Sequence, residues 1–114
     1  MIILPENTLL KKLEIIEVYT FYDKPVLFSC KNQFGLVFIA IFVNSSEFAE
    51  TWLYASVSLS RFQSVTKADM KIRHIFTETE NGFVYQVEIP NGGEKKAIVT
   101  NVKCNEIPDD YLPD

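Results

Sequence analysis

Long apolar runs, histidine, glycine, cysteine and basic charge are all scarce in this sequence, and each scarcity removes a class of function. The longest unbroken apolar run, Leu36 to Val43, is eight residues, whereas a membrane-spanning helix needs about twenty. His74 is the only histidine, so any histidine-based mechanism would have to use it. The four glycines (Gly35, Gly82, Gly92 and Gly93) stand at hairpin positions and none opens a helix, so no phosphate-cradling loop is present. Two cysteines, Cys30 and Cys104, fit no metal-ligand spacing and are too few for a disulfide scaffold. Both are read as reduced thiols, with Cys30 buried. The chain does not open on the charged, apolar, small-residue pattern that directs secretion. A net charge of −4 and a pI near 5.0 remove the basic footprint of a nucleic-acid binder. The two basic pairs, Lys11-Lys12 and Lys95-Lys96, read as solvated ends of elements. These exclusions lead to the expectation of a soluble, cytoplasmic protein with no cofactor, metal, membrane or nucleic-acid partner.

What remains is ample core material in a short chain. The 114 residues suit a single domain spanning 1–114. They are 47% hydrophobic, with nine Phe, five Tyr and one Trp, enough to bury roughly two-thirds of the unfolded surface.

Periodicity places that material mostly on strands. After a short turn or helix around 6–12, the β-branched and aromatic residues between Leu13 and Tyr22 predict a first strand. Asp23-Lys24-Pro25 supplies turn chemistry, and Val26, Phe28 and Cys30 alternate with Leu27, Ser29 and Lys31 in a second strand. Lys31 to Gly35 reads as a hairpin loop. The run Leu36–Val43 is apolar on both faces, the mark of a central strand covered on both sides. Thr51–Val57 is a fourth strand, completing a meander. The pattern then switches: Leu59, Phe62 and Val65 predict a helix over 59–67, with Ser60 and Gln63 as a capping box. A second short helix follows, capped by Asp69 and burying Ile72, Ile75 and Phe76. Asn81-Gly82 turns into Phe83, Tyr85, Val87 and Ile89, a period of two. Asn91-Gly92-Gly93 is a hairpin signal, and Lys96–Val102 returns. The end, from Glu106 to Asp114, reads as extended or frayed. The fold class is therefore α+β: an antiparallel sheet of five to six strands, a meander of four, a helical insertion and a C-terminal hairpin.

The stretch Leu-Glu-Ile-Ile-Glu-Val-Tyr-Thr-Phe-Tyr-Asp-Lys-Pro-Val-Leu-Phe-Ser-Cys-Lys-Asn-Gln-Phe-Gly at 13–35 is distinctive. Together with Trp52-Leu53-Tyr54, Ser60-Arg61-Phe62 and Asp110-Tyr111-Leu112-Pro113, it resembles a family of small bacterial domains of unknown function. The resemblance implies a bacterial source and an intracellular setting, and it brings no catalytic residues with it.

No combination of residues forces a particular chemistry. A carboxylate and histidine site drawn from Glu14, Glu17, Asp23 and His74 would need a cleft to gather them. A Cys30–His74 or Cys104–His74 nucleophile pair would need proximity that spacing does not supply. Asp109, Asp110 and Asp114 could hold a cation but read more simply as a solvated tail. The aromatics are the richest feature. Phe28, Phe38, Phe42, Phe62, Phe76, Phe83 and Tyr85 are expected in the core. Trp52 and Tyr54 share the face of strand four opposite Leu53, Ala55 and Val57. If the helices cover the aliphatic set, Trp52 and Tyr54, joined by Tyr19 or Tyr22, form an exposed patch suited to protein contact. In the other arrangement the helices cover the aromatic set. The leading expectation is a non-catalytic protein-binding or regulatory module whose partner is another protein or a second copy of itself. The alternative is a small enzyme.

Overall fold

The computed structural model describes residues 13–22, 24–67, 71–90, 97–108 and 111–112. Six strands follow the period-two segments: β1 (Glu14–Tyr22), β2 (Lys24–Lys31), β3 (Val37–Ser45), β4 (Ala49–Val57), β5 (Phe83–Pro90) and β6 (Ile98–Lys103). Each pairs antiparallel with the next, so the order across the sheet is the order along the chain. Two helices, α1 (Leu59–Thr66) and α2 (Ile72–Thr77), are inserted between β4 and β5. The architecture is the α+β antiparallel sheet expected from periodicity, with the helical residues where the pattern switches. The early helix at 6–12, Asp23, the Asp69 cap, the Asn91-Gly92-Gly93 hairpin, and Asp109, Asp110 and Asp114 lie outside the described residues.

Short connections hold the meander in register. Pro25, read as part of a turn, lies inside β2 and pairs with Phe21. The β3 partners begin only at Leu27, so the N–H that proline lacks is not missed on that side. Gly82 (φ 84°) enters β5 in the left-handed region, as a turn after Asn81 requires.

Both faces of the sheet are packed. On the aliphatic face, Ile39, Ile41, Leu53, Ala55, Val57 and Val84 meet Ile75 and Phe76 of α2, with Phe62 of α1 at the margin. Of the two arrangements left open by the sequence, the helices therefore take the aliphatic side. The opposite, aromatic face buries Phe28, Cys30, Phe38, Ala40, Trp52, Tyr54, Val87 and Ala97. Burying one set of β4 therefore did not expose the other. Trp52 is 2% exposed and Tyr54 fully buried, which overturns the exposed aromatic patch. The rings cover one another across strands: Phe28–Trp52 (5.7 Å), Phe42–Trp52 (5.4 Å) and Phe28–Tyr54 (6.3 Å) all meet edge to face. Such pairs add about 0.5–1.5 kcal/mol each beyond the area they bury. Of the expected core aromatics, Phe28, Phe38 and Phe76 are buried, while Phe42, Phe62, Phe83 and Tyr85 are half-buried. On β5 it is Val84 and Val87, one from each face, that are fully covered.

Burial has a polar cost at Tyr54. Its hydroxyl has no hydrogen-bond partner among the described residues. Burial, with Cys30 nearby, pushes its ionisation well above the ordinary phenol range. Tyr54→Phe removes this orphan group while keeping the ring, so it is expected to raise the unfolding free energy by about 1–2 kcal/mol. Urea unfolding measures this directly, and a destabilised variant would show that the hydroxyl is satisfied.

Two local expectations change. The cap of α1 is Ser58, two residues before Ser60: its hydroxyl accepts from the N–H of Arg61 at 3.3 Å. The role expected of Gln63 is taken from outside the helix, by Glu80, which accepts from the Ser58 N–H at 2.8 Å. Of the C-terminal segment, expected to be extended or frayed, the described part is docked. After a 3-10 turn at Cys104–Glu106, Leu112 is buried against the aliphatic face and Arg73 Nη2 donates to its carbonyl at 3.0 Å.

Candidate functional site

The residues of the enzymatic alternative belong to different parts of the sheet. Glu14 and Glu17 are exposed on the edge strand β1, whereas His74 is exposed on α2, which packs against β4. Two strands separate β1 from β4, a span of about 14 Å at ordinary strand spacing. His74 Nδ1 lies 4.0 Å from the carboxylate of Glu78, which follows the last turn of α2, and both side chains are largely in solvent. Cys30 is fully buried, and burial pushes its thiol up to about 12, which leaves it inert at neutral pH. Cys104 rests against the Thr79 hydroxyl at 2.6 Å. No group of three or more His, Cys, Asp or Glu able to hold a metal occurs among the described residues. Among them, too, no helix is long and apolar enough to cross a membrane.

A polar recess lies at the start of α1, lined by Ser58, Ser60, Arg61, Ser64 and Glu80. Its groups serve one another. The Ser58 backbone N–H holds the Glu80 carboxyl below its usual range against the opposing effect of burial, with smaller help from the Ser58 hydroxyl and the Arg61 charge. Arg61 also donates to the Glu78 carbonyl. The cluster fastens the β4–α1 junction to the turn before β5.

Trp52 and Tyr54, singled out from the sequence, do not form a surface. Trp52 and Tyr54 are interior on the aromatic face, and Tyr19 is half-buried on the aliphatic one. Tyr22 closes β1, but its side chain lies outside the described residues.

Exposed apolar groups occur elsewhere, at one end of the sheet. Phe34 is 72% exposed, Leu59 69%, Ile15 51% and Leu36 45%. Register sets them along the same end of the sheet: Ile15 lies opposite Cys30 near the end of β2, the 32–36 loop follows, and Val37 pairs with Val57 just before Leu59. The loop itself is tied at every turn to Asn32, which is buried. Asn32 Oδ1 accepts from the N–H of Phe34 (2.9 Å) and of Leu36 (3.0 Å). Its backbone N–H donates to Leu36 and its carbonyl accepts from Gly35, which takes φ 85°. An Asx arrangement of this kind fixes the loop conformation. It does so while Phe34 points into water. The signal was legible only as a hairpin ending in glycine; alternation says nothing about a side chain at a loop tip.

A family model matches the whole chain, residues 1–114: that of a family of unknown function (DUF6575). The chain belongs to this family. No curated protein and no solved structure matches it. Family membership agrees with the resemblance carried by the 13–35 stretch, and it assigns no residue a role. For this member of the family, the Asn32-pinned loop is one of two turns that hold an exposed phenylalanine outward; the other is the Ser46 turn, whose hydroxyl accepts from the N–H groups of Phe48 and Ala49.

Proposed function

We propose that the chain is a non-catalytic protein-binding or regulatory module of a bacterial cytoplasm. In this reading it engages a protein partner through the end of the sheet that carries Phe34, Leu36, Ile15 and Leu59. The observation that supports it is the pinned 32–36 loop, which holds a 72%-exposed Phe34 outward with four hydrogen bonds centred on Asn32. A rigid aromatic anchor binds with little further loss of conformational entropy, so a partner pocket gains most of its burial. The small-enzyme alternative finds less support, because its carboxylates and its histidine stand on separate elements.

The test is a comparison of Phe34→Ser with Phe48→Ser in affinity capture from the native cytoplasm, followed by binding of the purified partner. Phe48, 74% exposed in the β3–β4 hairpin, is equally solvated but lies at the other end of the sheet. Both variants are expected to melt within about 0.5 kcal/mol of the parent. Only Phe34→Ser is expected to weaken the partner by about thirtyfold or more, the hot-spot range of about 2 kcal/mol or above. Equal binding by both variants would remove Phe34 from any interface.

A further inference from the structure

The two edges of the sheet are built differently. β1 carries register shifts between Ile15 and Glu17, between Val18 and Thr20, and between Thr20 and Phe21. Bulges of this kind twist an edge away from further pairing. Its charges reinforce them, since Glu14 and Glu17 of two copies would crowd together. β6 has neither device along its length. Its six residues pair one for one with β5, from Phe83↔Lys103 to Glu88↔Ile98, without a shift. Its single charge, Lys103, stands at the end, and Ile98 is 56% exposed. Among the described residues no strand lies beyond it.

We propose that β6 pairs antiparallel with β6 of a second copy about a two-fold axis through Thr100, continuing the sheet into a dimer. The strand is complementary to itself in that register. Ile98 faces Val102 of the second copy, Val99 faces Asn101, and Thr100 faces Thr100, while Lys103 falls outside the ladder and opposes no like charge. Apolar and Thr–Thr pairs are the favourable cross-strand combinations. One element supplies both halves of the contact, as an isologous interface requires. The occupant is therefore a second copy rather than an unspecified strand: self-pairing sets Ile98 against Val102 at both ends of the ladder and Thr100 against itself at the axis, leaves Val99 opposite Asn101, and brings no like charges face to face. The surface is distinct from the Phe34 end, so the two proposals stand or fall separately.

The register makes a sharp test. Thr100→Lys and Thr100→Glu each place like charges directly opposite at the axis, and Thr100 is solvent-exposed on a folded strand. Sedimentation velocity on the full chain across a concentration series is expected to show a reversible dimer for the parent. For each variant alone the dissociation constant should rise roughly tenfold, from the cost of the like pair and the loss of the Thr pair. An equimolar mixture of the two is expected to recover the dimer as a mixed species, since Lys then faces Glu. Circular dichroism melts check that both variants fold. A parent that stays monomeric throughout, or a dimer that neither variant weakens, overturns the proposal. So does a mixture that fails to recover. A monomeric parent that still loses its partner on Phe34→Ser would sink the dimer and leave the binding reading intact.

Discussion

Trp52→Ala is expected to lower the unfolding free energy by about 3–5 kcal/mol, the usual range for deleting a buried indole. At a domain size near 100 residues this corresponds to a fall in Tm of roughly 12–20 °C, and it consumes a large share of a typical stability of about 5–15 kcal/mol. The indole sits at the middle of the aromatic face. It meets Phe28 and Phe42 edge to face and lies between its register partners Phe42 on β3 and Val87 on β5. Its N–H reaches Glu50 Oε1 at 3.4 Å. Removing it leaves three strands without their common neighbour, and the rings around it cannot collapse inward without abandoning their own edge contacts. Urea unfolding followed by circular dichroism gives the measurement. A midpoint unchanged from the parent, with altered self-association instead, would return Trp52 to the surface.

The reason the sequence pointed the other way lies in what alternation can and cannot say. A period of two separates Trp52 and Tyr54 from Leu53, Ala55 and Val57, and the structure keeps that separation. Which face is wet is a separate question, settled by neighbouring strands. Phe28, Phe38, Phe42 and Tyr85 all project to the same side as Trp52, and together they are numerous enough to enclose one another. Leu36–Val43, apolar at every position, already signalled a strand covered on both faces. Strand positions, the helical switch after Val57 and the turns at Gly35 and Gly82 were legible because each is a local property. The docking of Leu112 by Arg73 and the supply of a cap acid by Glu80 join residues far apart in the chain, where spacing carries no information. Exposure of Phe34 belongs with these: only the buried Asn32 and its bonds reveal that the loop is held rather than loose.

The two proposed surfaces have a joint consequence. A dimer through β6 would leave the β2–β3 loop of each copy uncovered, since β3 and β6 are separated by β4 and β5. Two Phe34 anchors on one rigid sheet would engage a partner that repeats its own site, and linkage of that sort raises avidity by about 10²–10⁴ where the spacing matches. A regulatory module gains a switch from this, because monomer concentration then controls binding strength. The Thr100 charge variants separate the effects: with Thr100→Lys the anchor is intact, and only the bivalent part of the affinity is lost.

Phe76→Ala is the second large effect expected, again about 3–5 kcal/mol, but with a different distribution over the structure. α2 has six residues, far short of the dozen or more at which a helix is marginally stable in water by itself. Its N-terminal flank, Lys71, contributes no side-chain cap. Ile75 and Phe76, both fully buried, are the two anchors that press it onto the aliphatic face. Loss of the ring removes the larger of the two, and with it the reason for the helix to form. The same helix carries Arg73, whose guanidinium holds the Leu112 carbonyl, so the C-terminal segment is expected to loosen together with α2. Native-state hydrogen exchange resolves this from general unfolding: protection should fall first at the amides of α2 and residues 104–112, while β3 and β4 keep the global value of the weakened protein. Uniform loss of protection across sheet and helix would show instead that α2 is part of a single cooperative unit with β4.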